Sequence, residues 1–202
     1  MTRDELLKIF RSTNALMRGH FELSSGLHSG HYFQCAVFLQ HPRLAAKVCK
    51  ELAAKFIKAR PTVVVGPAIG GIIVAYELAR QLGVRAVYAE RVDAEMHLRR
   101  GFEVHRDDRA LVVEDVITTG ESARKVVDLL DALGAKVIGV ATIMDRSSGR
   151  TNFGRRLSYE KLMAIDFEAF RPSLCPLCKE HIPFVRPGRQ ITPHGSLSRG
   201  RQ

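Results

Sequence analysis

One twelve-residue string, LVVEDVITTGES from Leu111 to Ser122, restricts the fold of this 202-residue chain more than any other feature. An apolar run ends in two adjacent carboxylates, Glu114 and Asp115, and passes through a Thr-Thr-Gly turn. A helix follows, in which Val126, Val127, Leu130 and Leu133 share a face. β-Branched residues on both faces predict a strand buried inside a parallel sheet. Small and hydroxylated residues at the turn let backbone N–H groups from Thr118 to Ser122 point at an anion, where the helix dipole favours negative charge. Glu114 and Asp115, at the carboxyl end of the strand, are placed to accept hydrogen bonds from vicinal hydroxyls. The chemistry suits a phosphorylated sugar, whereas the plainer alternative is an ordinary strand-to-helix turn with an acidic end.

Two further strand–helix units share the pattern. Thr62 to Leu82 reads as a strand ending in Gly66-Pro67, and Gly70-Gly71 then opens a helix, so backbone can approach a bound anion closely. Arg85 to Ala89 reads as a strand that runs into Glu90 to Asp108, a segment of mixed charge with few core positions. Lys136 to Met144 is expected as the final buried strand, leading into MDRSSG. Upstream, Asp4 to Phe10 predicts a short helix and Gly19 to Gln34 two short strands around a Gly/Ser-rich turn. Pro42 then starts a helix carrying Leu44, Val48, Leu52 and Phe56 on one face. Strands alternating with helices imply a parallel α/β sheet with ligand loops at the carboxyl ends of its strands.

Composition leaves that reading intact. A hydrophobic content of 46% suits a soluble globular domain, no apolar run reaches membrane-spanning length, and the N-terminus has no signal-like pattern, so a cytoplasmic protein is expected. The net charge is +10, and the six Lys or Arg against one Glu from Arg171 to Gln202 put +5 of it in the tail. A solvated tail is preferred there over a nucleic-acid contact. Among four cysteines, Cys35 and Cys49 read as core. Cys175 and Cys178 form CPLC, half of a zinc-knuckle pattern, with His181 as the nearest further ligand and His194 or a second subunit to complete a set. A reduced, unliganded turn is the preferred reading over zinc.

LVVEDVITTGES resembles the PRPP-binding motif of type I phosphoribosyltransferases, PRPP being 5-phosphoribosyl 1-diphosphate. The string GHFELSSGLHSGHYFQCA from Gly19 resembles the hood of the orotate phosphoribosyltransferases within that family. The ERxDxxMxLRRGF segment and CPLC ending are similar to a bacterial and archaeal subgroup of them. The resemblance spans roughly Gly19 to Gly149 plus the CPLC-containing tail.

It implies a mostly parallel central sheet flanked by helices, in a single domain over 1–170. A small N-terminal hood (about 1–40) and a flexible β-ribbon arm (about 90–108) belong to it, and a basic tail follows over 171–202. PRPP would be held by Glu114, Asp115, Val116, Ile117, Thr118, Thr119, Gly120, Glu121 and Ser122, with Pro67, Ala68, Ile69, Gly70 and Gly71 on its pyrophosphate. Orotate would meet Thr118, Arg146, Tyr32 and Phe33. Arg91, His97, Arg99 and Arg100 of the arm, with Asp115, would be catalytic. Magnesium would accompany PRPP, and a homodimer would share the arm across subunits. Better-known members carry lysines where Ser24 and Ile69 stand here, and an R-K-x-x-K-x-H arm. The remaining alternatives are a PRPP-sensing regulator that binds nucleic acid, a transferase for another base, and a zinc-tethered assembly module.

Overall fold

The computed structural model describes residues 1–23, 25–154 and 157–187. In chain order the elements are helix α1 (Arg3–Ser12), strands β1 (Leu16–Glu22) and β2 (His28–Phe33), and helices α2 (Cys35–Leu39) and α3 (Pro42–Ala54). Strand β3 (Val63–Pro67) and helix α4 (Gly70–Leu82) come next, followed by the hairpin of β4 (Arg85–Val92) and β5 (Glu95–Leu98). Then come β6 (Arg109–Ile117), α5 (Glu121–Ala132), β7 (Lys136–Asp145), β8 (Ser158–Ala164), β9 (Ala169–Phe170) and a short α6 (Pro176–Lys179).

Contacts divide the chain into two units, Met1–Leu16 with Phe33–Asp166, and Met17–Tyr32 with Phe167–Gln202. The hairpin expected as part of a hood therefore groups with the chain beyond Phe167, and α1 groups with the larger unit. In the larger unit a six-stranded sheet runs in the order β5-β4-β3-β6-β7-β8. Its pairings are parallel except for the β4–β5 hairpin. Val63, Val64 and Val65 of β3 and Leu111, Val112 and Val113 of β6 are fully buried, as central parallel strands require. Val63, Val65, Ala110 and Val112 join Val126, Val127 and Leu130 of α5 in one apolar cluster, which fixes the helix that follows the acidic strand end. α1 begins in a capping box, Thr2 and Glu5 each accepting from the other's backbone N–H, and anchors Phe10 against Phe33 and Phe38.

One strand departs from expectation. β8 pairs parallel to β7 with no helix between them, so β7 is not the last strand of the sheet. Its sequence, SYEKLMA, buries only Met163 and carries the mixed polarity of an edge, which hid it from periodicity. In the smaller unit β1, β2 and β9 form a three-stranded sheet.

Candidate active site

The carboxyl end of β6 carries the phosphate turn. Gly120 stands at the N-cap of α5 with φ +76°, and a Cβ there would meet Thr151 Cγ2 at 2.6 Å. Both conformation and space therefore demand glycine. The amide of Glu121 donates to Thr119 Oγ1 at 3.3 Å, and Thr118 and Thr119 are exposed at the mouth of the turn. The first amides of a helix held this way, next to small residues, form an anion cradle.

The loop after β3 reaches the same strand end. A Cβ on Gly70 would lie 2.6 Å from Asp115 Oδ1, and one on Gly66 would lie 2.5 Å from the Gly71 carbonyl. These glycines are what let the start of α4 press against the acidic pair. Pro67 closes β3, the Ala68–Ile69 peptide is cis, and Ile69 is 86% exposed at the loop tip.

Burial dominates the electrostatics of the two acids. It pushes the Glu114 carboxyl up to about 8, with the Asp115 charge adding to the effect and Arg91 opposing it. Asp115 is also held above its ordinary range by burial, against the amides of Val116 and of Asp115 itself. A half-buried carboxyl pair of this kind favours cations or hydroxyl donors.

Arg146 lies beside this strand end. Ile117 of β6 pairs with Asp145 of β7, and the Arg146 amide donates to the Ile117 carbonyl at 2.7 Å, so Arg146 and Thr118 leave adjacent strands side by side. The preceding Asp145 is buried. Its carboxyl accepts from the Ser147 amide at 2.8 Å and from Lys161 Nζ at 2.6 Å. Burial alone would raise this carboxyl, but Lys161 and Ser147 outweigh it and hold it below the usual range. Lys161, on the strand the sequence did not reveal, thus fixes the turn that carries Arg146.

Of the four arm residues, one reaches the site. β4 and β5 form the expected ribbon, turning at Asp93 and Ala94, both with positive φ. Arg91 extends to within 3.6 Å of Glu121 at the start of α5. The ribbon then folds back onto α5 of the same chain. Met96 is buried in the α5 cluster, and Lys125 donates to the Ala94 carbonyl at 2.5 Å. Arg100 is held by Glu90 at 2.7 Å and Arg99 lies 3.7 Å from the same carboxylate. His97 lines a shallow groove with Leu129 and Leu133, two turns of helix, or roughly 12 Å, from Glu121. Within one chain His97, Arg99 and Arg100 are therefore not assembled with Arg91.

The aromatic pair of the hood is split as well. Phe33 is 3% exposed and packs edge-on to Phe10 in the larger unit's core. Tyr32 is half-buried against Phe21, with ring centroids 5.7 Å apart.

In the smaller unit Cys175 and Cys178 face two histidines that the sequence did not single out as ligands, His20 and His28. His181, the ligand expected beside them, is exposed with φ +55° and is not in this group, while His194 lies outside the described residues. His20 and His28 sit in the hood string, where nothing in their spacing pointed to the distant CPLC.

A half-buried acidic strand end flanked by two glycine-opened helices is an arrangement that suits a phosphoribosyltransferase. The Phosphoribosyl transferase domain family matches residues 38–153. The chain is 48% identical over 193 residues to an orotate phosphoribosyltransferase of Desulforamulus reducens, covering 95% of this chain and 100% of the relative. It is 50% identical over 188 residues to one of Caldanaerobacter subterraneus, covering 93% and 98%. The crystal structure of the Mycobacterium tuberculosis orotate phosphoribosyltransferase aligns with a TM-score of 0.69 at 29% identity, over 81% of this chain and 96% of that one. The chain belongs to the orotate phosphoribosyltransferase family.

Proposed function

We propose that the chain transfers the 5-phosphoribosyl group from PRPP to a ring nitrogen of orotate, giving orotidine 5'-monophosphate and pyrophosphate. The supporting observation is the convergence at the end of β6. There the Gly120 turn, the Gly70 contact on Asp115, and Arg146 beside Thr118 provide places for a phosphate, a ribose with its diphosphate, and an anionic base.

In this reading the amides from Thr118 to Ser122 hold the 5'-phosphate, and Val116 and Ile117 carry the chain into that cradle. Glu114 and Asp115 accept from the ribose hydroxyls, and their carboxyl oxygens steady the oxocarbenium character that develops as the C1–O bond breaks. Pro67 to Gly71 receive the pyrophosphate. Magnesium entering with PRPP would offset the charge of that leaving group, and the adjacent Glu114 and Asp115 carboxyls offer oxygen donors that fit a cation-bearing substrate. Arg146 pairs with the orotate carboxylate and Thr118 contacts the base, while Tyr32 enters from the resemblance alone. No enzymic nucleophile is needed, because the base supplies its own.

Arg91 serves the pyrophosphate in cis. His97, Arg99 and Arg100, turned away from their own cradle, are assigned to the neighbouring subunit of a cytoplasmic homodimer. Ile73 and Tyr76, exposed with Ile69 at helical spacing, give α4 an apolar stripe suited to a second copy. None of the described helices is long and apolar enough to cross a membrane.

Absorbance-monitored consumption of orotate with PRPP and magnesium, run beside hypoxanthine, adenine and uracil, tests the base. Turnover of orotate alone is expected. Arg146→Ala is expected to weaken orotate binding by about two orders of magnitude, the scale of a desolvated bidentate contact, while PRPP affinity holds. Calorimetry showing unchanged orotate affinity would remove Arg146 from the base site. For the arm, mixed dimers of an Arg99→Ala/Arg100→Ala chain with an Asp115→Asn chain should regain roughly a quarter to half of wild-type turnover if the arm acts across subunits. No recovery would place its action in cis or outside catalysis.

A further inference from the structure

The smaller unit contains a cluster that the transferase chemistry does not use. His20 lies on β1, His28 on β2, and Cys175 and Cys178 bracket the first turn of α6, about 150 residues further along the chain. One ligand atom from each side chain lies within 4.8 Å of every other. His20 Nε2 is 2.8 Å from His28 Nδ1, 3.5 Å from Cys175 Sγ and 3.7 Å from Cys178 Sγ, and Cys178 Sγ is 3.2 Å from His28 Nδ1. Tetrahedral zinc, with bonds of about 2.0–2.1 Å to nitrogen and 2.3 Å to sulfur, sets its ligand atoms about 3.3–3.8 Å apart. The four side chains are already gathered to nearly that size.

We propose that His20, His28, Cys175 and Cys178 form a closed, structural zinc site that fastens the C-terminal turn to the β1–β2 hairpin.

Three features favour a metal over a chance meeting of polar groups. First, His20 Nδ1 is 2.7 Å from the Ile182 carbonyl, which only accepts, so Nδ1 carries the proton and Nε2 turns its lone pair into the cluster. A ring nitrogen bound to a backbone carbonyl is the usual outer support of a metal-binding imidazole. Second, His20, His28 and Cys175 are buried, and Phe184 covers both imidazoles, its ring centre 5.7 Å from His20 and 4.9 Å from His28. Two imidazoles and one thiol removed from water, with a second thiol half-buried beside them, need a partner stronger than each other. Third, the unit has almost no apolar core. Among its described residues the buried ones are His20, Phe21, His28, Ser29 and Cys175, so only one large apolar side chain is shielded. An assembly of this size normally needs a disulfide or a metal as a staple.

The ligand set chooses the ion. Two thiolates with two imidazoles suit zinc, and four protein ligands leave no open position for a reacting water, which makes the site structural. Binding displaces the two thiol protons to solvent, while both imidazoles bind neutral. The backbone is already laid for such a clamp. The Val185 amide donates to His20 O at 2.9 Å, the Glu22 amide donates to Val185 O at 3.0 Å, and Arg186 reaches Glu22 at 2.7 Å. The metal would lock a strand pairing that is otherwise a single isolated bridge.

The test is metal analysis of the full chain, purified under reducing conditions without chelator and exchanged by gel filtration. One zinc per chain is expected, released on modification of the thiols. Cobalt added to zinc-stripped protein should give the intense visible bands of a tetrahedral site, with thiolate-to-cobalt charge transfer. Cys178→Ser and His28→Ala should each lower bound zinc at least tenfold, and His181→Ala should retain it. If either ligand variant fails to fold, the cobalt spectrum of the unsubstituted chain stands as the deciding measurement. Zinc-free protein that also gives no tetrahedral cobalt spectrum overturns the site. So does a Cys175–Cys178 disulfide in protein kept reduced, or zinc that survives His28→Ala and is lost in His181→Ala.

Discussion

The end of β6 and the hairpin with its C-terminal turn present two polar clusters held in opposite ways. Glu114, Asp115 and the Gly120 turn stand on strands and a helix with a large buried apolar face, so hydrophobic packing sets their geometry. His20 and His28 stand on two strands, and Cys175 and Cys178 on the first turn of a short helix, with almost nothing apolar beneath them, and the polar side chains themselves are the interior. A site that must keep its geometry through turnover is best carried by a frame that does not depend on it. A site that serves only to join segments can be its own frame. The contrast makes unequal demands on the two units, and substitutions should expose it.

The largest effect is expected from Leu111→Ala. Leu111 is fully buried at the centre of the sheet, and truncation should cost about 3 kcal/mol, within the range of buried leucines that leave a cavity. Urea unfolding should show the loss while the folded protein keeps its zinc. Zinc lost in step with that midpoint would mean that both clusters rest on the same core, and the contrast would fail.

Glu114→Gln sharpens it from the other side. A carboxyl raised from its ordinary 4.5 to about 8 is protonated in both folded and unfolded chains below pH 4.5, where it has no effect on stability. As pH rises from 4.5 to 8 the unfolded chain ionises first, so the folded protein loses stability across that window and bears the full cost above pH 8. Glutamine removes the cost. The variant should match the wild type near pH 4 and exceed it at pH 9 by on the order of 2 kcal/mol, after allowing for solvent around a half-buried group. Thermal melts across this range that stay parallel would show that the acid is not strained in the free enzyme.

Legibility in the sequence follows the same division. Buried parallel strands write themselves as runs such as TVVVG and LVV, and loops that must admit backbone write themselves as glycine, so the strand ends and the glycine turns after them could be read from the sequence. Lys161 could not, because β8 is an edge strand with one buried side chain and no helix before it. His20 and His28 were invisible as ligands for a different reason. A local motif explained them already, and their partners lie about 150 residues away, a distance that only the folded chain closes. The arm was legible as a ribbon but not in its docking. The burial of Met96 and the hold of Glu90 on Arg99 and Arg100 are tertiary choices that charge patterning does not reveal.

Lys161 offers the smallest and most discriminating effect. Its ammonium is partly exposed, so the ion pair contributes modestly to stability, yet its partner Asp145 immediately precedes Arg146 in the chain. Lys161→Met should deprive Asp145 of its ammonium partner, loosen the turn and raise KM for orotate about fivefold, the equivalent of roughly 1 kcal/mol, with kcat and KM for PRPP unchanged. Lys161→Arg, which keeps the charge, should restore most of the affinity. A fall in kcat with orotate KM unmoved would instead assign Lys161 to the sheet edge as a whole. The aim of Arg146 would then be set by β7 and its backbone bond to Ile117.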